Sequence, residues 1–302
     1  MSKTCIVCDS ISWKNTVWGG YNFKGQNYNI VRCSKCGFMF LNPLPGKNIL
    51  DDIYKDDAYF DTYYATSAGI KTYIDGMEDC KDKIINIISL ISKYKESGTL
   101  LDIGCAAGMF LTNAKDSGYE VFGVEPNYGM AKYAKDNFGL NVICGTTKDV
   151  TYNDGYFDII RVGDVLEHMP ELQEDIKIIK KILSSDGILV IEQPLTYNKS
   201  LFNLMLKLKM LYSKNKYSIN VPTHLWEFNA VTLRRFLEKN NFKVIYYKIF
   251  ETKPKPLAIY SNPNIKNIIG SCIKNISCFI SNNFLLSKLL IGDRAIVICQ
   301  KV

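Results

Sequence analysis

The sequence is poor in arginine and histidine. Of its 37 Lys and Arg residues only five are Arg (Arg32, Arg161, Arg234, Arg235 and Arg294), and His occurs twice. Surfaces that read phosphates lean on guanidinium forks. So few of them weigh against a nucleic-acid reader, while the net charge of +7 permits an anionic partner without requiring one. No apolar stretch reaches the roughly 18 uninterrupted residues of a membrane span, so none is expected. The first 20 residues hold a cysteine pair and no apolar core, so no signal peptide is expected. Internal repeats and low-complexity tracts are absent as well. Ten cysteines in 302 residues are too few for a disulfide scaffold, and 47% hydrophobic with 22% charged residues excludes wholesale disorder. A soluble protein of a reducing, cytoplasmic compartment is the expectation.

The spacing of what is present gives an order of elements. Residues 1–45 are aromatic, Cys-paired and closed by Asn42-Pro43-Leu44-Pro45-Gly46. Residues 46–97 read as a helical linker or lid, with Ile84, Ile85, Ile87, Ile88 and Ile91 on one broad apolar face. From Thr99 the rhythm becomes strand and helix in turn. Apolar runs at Thr99–Ile103, Tyr119–Glu125, Asn141–Cys144, Phe157–Val162 and Ile188–Ile191 alternate with helical patterns at Ala106–Lys115, Tyr128–Phe138 and Glu171–Leu183. That alternation predicts right-handed crossovers and a doubly wound, Rossmann-like α/β sheet over 98–302. A helix over 230–239, a strand over 243–250 and a final strand over 294–300 follow. Inserts are expected at 196–230, on the substrate side, and at 263–290, as an amphipathic helix. Residues 199–216 carry five Lys and no acid among Leu201, Leu204, Leu206, Leu208 and Leu211. Such a segment forms the solvated edge of a cap, lies on an anionic membrane as a peripheral contact, or holds a nucleotide- or lipid-linked glycan; the sequence leaves these open.

Cys5-x-x-Cys8 and Cys33-x-x-Cys36-Gly37 form two knuckles separated by 24 residues. A two-residue gap puts both sulfurs on one side of a turn, and two such turns supply the four thiolates of a closed tetrahedral zinc site. A closed site is structural, so Zn2+ is expected to hold residues 1–45 together as a ribbon. Neither pair adjoins a strand–helix unit, which argues against a redox role.

The stretch Asp102-Ile103-Gly104-Cys105-Ala106-Ala107-Gly108 joins the first strand of the alternating region to its helix. Ala106 breaks the G-x-G-x-x-G spacing, and no Gly-Lys-Ser/Thr follows, so neither a dinucleotide fingerprint nor a P-loop is present. Gly104 and Gly108 let a ligand approach the backbone at the carboxyl edge of the sheet. Asp102 would repel a pyrophosphate there and welcome an ammonium group. Glu125, 17 residues after Gly108 and at the end of the next strand, can accept both hydroxyls of a ribose. A nucleoside with a cationic amino-acid tail satisfies both acids, and S-adenosylmethionine is such a molecule.

Asp102 to Gly108, Gly123-Val124-Glu125-Pro126 and Phe157-Asp-Ile-Ile-x-x-x-Asp164-Val-Leu-Glu-His168-Met-Pro170 together resemble the class I S-adenosylmethionine-dependent methyltransferases. The front adds a second likeness. Cys33-x-x-Cys36-Gly37-Phe-Met-Phe-Leu-Asn-Pro-Leu-Pro45, followed by Asp57-Ala-Tyr59-Phe60, is similar to the zinc-ribbon methyltransferases of bacterial sugar, surface-polysaccharide and natural-product clusters. Val221-Pro-Thr-His224-Leu-Trp-Glu-Phe-Asn229, running into Leu233 to Phe242, resembles the substrate-side segment of that group. The resemblance implies a mostly parallel sheet with the last strand antiparallel, and methyl transfer (EC 2.1.1.-) to a sugar-like small molecule. It also implies that Asp102, Gly104 and Gly108 hold the methionyl part of the cofactor and Glu125 its ribose. Thr146 and Thr147 would line the adenine, and Gly163 and Asp164 would pass near the transferred methyl. Tyr59 and Phe60 would belong to a lid. Relatives often have Gly where Ala106 stands. The sugar C-methyltransferases of this type carry an extra C-terminal domain with no counterpart in these 302 residues, which weighs against a carbon acceptor.

A hydroxyl acceptor profits from a general base, and His is suited to neutral pH. His224, beside Trp226 and Glu227, is the expected base, and His168, after the strand 157–162, the expected wall or positioning residue. Two other functions fit parts of the pattern. One is an RNA base methyltransferase whose ribbon grips RNA, against which the five Arg count. The other is a non-catalytic, cofactor-binding partner module, against which the intact acids at 102 and 125 count.

Overall fold

The computed structural model describes residues 4–55, 73–74, 76, 80–199, 201–212, 217–218, 222–251, 271–273, 275–276, 278–280 and 292–302. Tyr59, Phe60, most of the expected insert at 263–290 and much of the lid segment after residue 55 lie outside these residues. The chain groups into two compact units. One comprises Met1–Leu44, Glu192–Lys239 and Tyr246–Val297; the other comprises Pro45–Ile191, Asn240–Ile245 and Ile298–Val302. Among the described residues no helix is long and apolar enough to cross a membrane.

The principal sheet has seven strands, mostly parallel with an antiparallel end. They are β4 (Thr99–Ile103), β5 (Glu120–Glu125), β6 (Asn141–Cys144), β7 (Phe157–Gly163), β8 (Leu183–Pro194), β11 (Phe242–Phe250) and β12 (Arg294–Lys301). Their order is β11-β12-β8-β7-β4-β5-β6. The central strands are apolar throughout, because a parallel strand is covered on both faces. Leu100, Leu101, Ile159, Ile160, Val190 and Ile191 are fully buried. β4 pairs in parallel with β5 on one side and β7 on the other, setting Ile103 against Val124 and Asp102 against Arg161. The chain therefore reverses its direction of winding at β4, and ligands in open α/β sheets bind outside the carboxyl ends of strands at such a switch point.

The helices follow the same logic. The first two, α1 (Lys47–Lys55) and α2 (Lys81–Ile91), precede the sheet, and α3 (Met109–Asp116), α4 (Tyr128–Phe138) and α5 (Leu172–Ile182) belong to the alternation. The last two are α6 (Leu201–Tyr212) and α7 (Ala230–Lys239). In α5, Leu172, Ile176, Ile179 and Ile182 are buried at a helical period, each stabilising by about 1.5–3 kcal/mol on burial. Asn127 caps α4 by accepting the N–H of Met130. Two elements of the alternation differ from their expected bounds by more than one residue. The helix after β4 starts at Met109 rather than Ala106, because residues 104, 106 and 108 take left-handed φ values that no α-helix contains. β8 begins at Leu183 and runs to Pro194, well beyond the apolar run 188–191, since an apolar run marks only the buried centre of a strand while backbone pairing sets its length.

A second sheet lies wholly in the first unit. It has the order β10-β3-β2-β1-β9, formed from β1 (Trp13–Phe23), β2 (Gln26–Cys33), β3 (Met39–Asn42), β9 (Tyr217–Ser218) and β10 (Trp226–Glu227). Its pairings are antiparallel except that of β1 with β9. Phe38, Phe40, Trp226 and Phe228 form an aromatic cluster under it, with centroid separations of 4.9–6.4 Å.

Candidate active site

In the second unit the carboxyl edge of β4, β5 and β7 gathers a glycine bend, a buried acid and the segment after β7. Gly104 has φ +72° and Gly108 φ +83°, and Ala106 between them has φ +47°. A Cβ on Gly104 would stand 2.3 Å from Cγ2 of Val165, so the bend after β4 lies directly against the segment after β7. Glu125 closes the other side. It is 4% exposed, and each carboxylate oxygen takes one backbone N–H, Ala106 to Oε2 and Asn127 to Oε1, both at 2.9 Å. Burial pushes its carboxyl up to about 7; the two N–H groups pull the other way and the charge of Asp102 adds to the rise.

Asp102 is 1% exposed and forms an ion pair with Arg161, Nη1 to Oδ1 at 2.8 Å. Arg161 lies over the ring of Phe110, its guanidinium carbon 4.0 Å from the centroid. Gly163 ends β7, and Asp164 follows with φ +57° and a half-exposed carboxylate 3.9 Å from Nζ of Lys83. Thr146 and Asp149 form a reciprocal capping box after β6. The Thr147 hydroxyl donates to buried Asp175, whose carboxyl is pushed up by burial. Both threonine hydroxyls thus have protein partners. His168 sits in the short 3-10 turn Leu166–His168. Its Nδ1 is 3.1 Å from the hydroxyl of Tyr54, and its Nε2 is 3.7 Å from Oε1 of Glu167. The Tyr54 carbonyl in turn accepts the side-chain amide of Asn127 at 3.0 Å.

The first unit carries two further groups. The sulfurs of Cys5, Cys8, Cys33 and Cys36 all lie within 4.8 Å of one another, with Cys5–Cys36 and Cys8–Cys33 at 3.6 Å. Four thiolates on a tetrahedral zinc with bonds of about 2.3 Å stand about 3.8 Å apart. The spacing fits zinc and far exceeds a disulfide bond. Burial pushes the Cys5 thiol up to about 11, so joint ionisation of the set calls for a cation. His224 lies beside Glu227, Nδ1 to Oε1 at 3.6 Å, with the histidine one-third exposed and the carboxylate 3% exposed. Burial, then the charge of Glu227, pushes the phenols of Tyr21 and Tyr197 well up, so both remain hydrogen-bond donors. The ring of Tyr197 is 4.7 Å from that of Trp18.

The sequence matches the methyltransferase-domain family over residues 78–247, more than half of the chain. The chain belongs to this family of methyltransferases. It is 20% identical over 278 residues to C-methyltransferase NovU of Streptomyces niveus, covering 86% of this chain and 60% of that protein. It is 30% identical over 118 residues to an uncharacterized methyltransferase of Staphylococcus carnosus (strain TM300), covering 38% of this chain and 56% of that protein. The chain thus spans little more than half the length of these curated relatives. Its fold is that of a SAM-dependent methyltransferase from Archaeoglobus fulgidus, with a TM-score of 0.50 at 24% identity, covering 73% of this chain and 94% of that one. Family and fold support S-adenosylmethionine as the cofactor of this methyltransferase.

The expected cofactor residues Asp102, Gly104, Gly108 and Glu125 come together at one edge, and Gly163 and Asp164 end the neighbouring strand β7. Four participants were missed: Arg161, Asn127, Tyr54 and the Ala106 N–H. Only Arg161 left a signal, a lone cation inside the apolar run 157–163.

Proposed function

We propose that the protein transfers a methyl group from S-adenosylmethionine to a small-molecule acceptor, a sugar or a nucleotide- or lipid-linked glycan, in the cytoplasm. The observation that carries the cofactor half is Glu125, an acid sequestered from water yet fixed by two N–H groups at the mouth of a left-handed bend. Each oxygen keeps a second lone pair for a ribose hydroxyl. When bound, the cofactor supplies a methyl group on an electrophilic sulfonium. Asp102 takes its ammonium, Gly104 and Gly108 admit its methionyl chain, Thr146 and Thr147 flank its adenine, and Gly163 and Asp164 border the methyl path. Excluding water and aligning the acceptor oxygen or carbon are the protein's main contributions.

His224 takes the acceptor proton, Glu227 orients it and stabilises the imidazolium that forms, and His168 is held as a wall residue by Tyr54. Trp18, Tyr21 and Tyr197 give the surroundings of Glu227 aromatic faces and hydroxyl donors, the chemistry a sugar ring uses. Zinc on Cys5, Cys8, Cys33 and Cys36 holds the sheet that carries Trp18 and Tyr21. Likeness to C-methyltransferase NovU over most of this chain keeps carbon open as the atom methylated. Titration calorimetry with S-adenosylhomocysteine tests the cofactor half, where no heat of binding ends the reading. A cofactor-consumption screen over nucleotide-linked sugars tests the acceptor half.

We also propose a peripheral contact of α6 with an anionic membrane. Leu204, Leu208 and Leu211 stand on one helical stripe and are each at least half exposed, and exposed Lys207 lies beside them.

A further inference from the structure

Asn127 is buried and uses both ends of its side-chain amide. Its Oδ1 accepts the Met130 N–H at 2.9 Å as the cap of α4, and its Nδ2 donates to the Tyr54 carbonyl at 3.0 Å. Its backbone N–H donates to Oε1 of Glu125 at 2.9 Å. An oxygen facing an N–H and a nitrogen facing a C=O leave one orientation for the amide. The carbonyl it reaches lies in the last turn of α1, where the helix itself offers no N–H. Tyr54 points its hydroxyl the other way, 3.1 Å from Nδ1 of His168. Across the imidazole, Oε1 of buried Glu167 stands 3.7 Å from Nε2. That distance is too long for a hydrogen bond, yet a carboxylate there favours the proton on Nε2. Nδ1 then keeps its lone pair, and the Tyr54 hydroxyl donates to it. Three bonds thus run within the second unit from the acid ending β5 to the imidazole after β7.

We infer that Tyr54 is a positioning residue of this methyltransferase: it holds neutral His168 as the tautomer with its proton on Nε2, and through Asn127 it ties that ring to Glu125. The second half rests on the cofactor reading above, in which Glu125 carries the ribose; the first half does not. A neutral imidazole has one donor and one acceptor nitrogen, and the bond made by one decides what the other offers. With Nδ1 occupied by the Tyr54 hydroxyl, Nε2 is a donor and not a base, so His168 does not take the acceptor proton. The nine residues of α1 are too few for a helix to persist unaided. Its last turn is held by the Asn127 amide, so a ligand that fixes Glu125 and Asn127 also fixes Tyr54 and the ring beyond it.

The test reads the tautomer directly, from long-range proton–nitrogen correlation spectra of the isotope-labelled protein at about pH 8, where imidazoles are neutral. The chain has two histidines, so His224→Gln assigns both sets of signals. In the wild type, Nδ1 of His168 is expected at the shift of an unprotonated nitrogen and Nε2 at that of a protonated one. Tyr54→Phe keeps the ring and the carbonyl and removes only the hydroxyl, so the two nitrogen shifts of His168 should move toward each other as the tautomers mix. A mixed ring in the wild type, or a lone Nε2–H tautomer that survives Tyr54→Phe, overturns the role of Tyr54. Asn127→Ser keeps a capping oxygen for α4 and removes the amide donor. Saturation with S-adenosylhomocysteine should shift the His168 nitrogens of the wild type and leave those of Asn127→Ser in place, with affinities within about threefold of each other. No shift in the wild type, or equal shifts in both proteins, overturns the tie through Asn127. A wild type with the expected tautomer that binds no S-adenosylhomocysteine overturns the cofactor reading and the tie while the hold of Tyr54 on His168 stands, so the failures are distinct.

Discussion

The backbone N–H of Ala106 donates to Oε2 of Glu125 at 2.9 Å, so the bend after β4 and the acid ending β5 act as one hydrogen-bonded unit. That acid is protonated over an unusual range, since its carboxyl is pushed up to about 7. Only the ionised form offers both oxygens to ribose hydroxyls. Affinity for S-adenosylhomocysteine should therefore fall about tenfold per pH unit below about 7 and level off above it. The apo protein has the opposite dependence. A raised folded-state value means the native protein holds the proton more tightly than the unfolded chain, so this contribution to stability is full below about 4.5 and is lost as pH rises through about 7. Calorimetry from pH 5.5 to 8.5 checks the first statement and denaturant unfolding at the same pH values the second. A flat binding profile would show that Glu125 does not carry the ribose.

A left-handed φ at a residue with a Cβ costs about 1–2 kcal/mol, and Ala106 bears that cost at φ +47°. Ala106→Gly should relieve it, offset in part by the greater freedom of glycine in the unfolded chain. A rise in melting temperature of about 1–3 °C with unchanged cofactor affinity is expected. Gly104→Ala should act in reverse. It adds a Cβ at φ +72° and 2.3 Å from Val165, which should cost more than about 2 kcal/mol and abolish cofactor binding. Equal melting temperatures for the two variants would contradict the bend geometry.

The alternating strands and helices were legible because their signals are local. Continuous apolar runs mark parallel strands, and the four- and three-residue spacing of Leu172, Ile176 and Ile179 marks a helix. The glycine bend and the acid after β5 were legible for the same reason. What sequence could not show was pairing at a distance. Asp102 reads as an anion awaiting a cationic ligand, yet Arg161, 59 residues away, neutralises it across adjacent strands. Tyr54 lies in a helix with no motif, and its bond to His168 spans 114 residues. Thr146 and Thr147 look open in sequence, but Asp149 and Asp175 hold their hydroxyls. A side chain's partner depends on strand register and helix docking, and neither has a period along the chain.

The four-sulfur cluster predicts one zinc per chain by elemental analysis of the purified protein. Cys33→Ser should remove the metal and lower the melting temperature by several degrees, since it opens a closed site whose metal binding is coupled to folding. Its signature should appear in the first unit. The fluorescence of Trp13 and Trp226, which sit in the sheet beside the knuckles, should change on chelation and recover on adding zinc. Substoichiometric metal with an unperturbed melt would leave four ordinary thiols.

His224 and Glu227 stand 3.6 Å apart, close enough for the carboxylate to stabilise a protonated imidazole. With a hydroxyl acceptor, His224→Ala should lower kcat about 10²–10⁴-fold while the affinity for S-adenosylhomocysteine stays within about twofold. Glu227→Gln should keep the geometry and lower kcat less, because a neutral amide no longer stabilises the imidazolium that forms as the proton is taken. Unchanged turnover in His224→Ala removes the histidine from the reaction.

Leu204, Leu208 and Leu211 are exposed along α6 in a segment that contains five lysines and no acid. Burying three leucines in a lipid interface and placing lysines near an anionic surface, at about 1 kcal/mol each, is sufficient for reversible binding. The protein should co-float with vesicles of mixed anionic and neutral phospholipid at low salt and not with purely neutral ones. Leu208→Glu should abolish co-flotation without altering the melting temperature, since that side chain is already half exposed. If Leu208→Glu instead changes the sedimentation coefficient of the protein in the absence of vesicles, the stripe is covered by a second copy of the chain and the membrane reading is replaced.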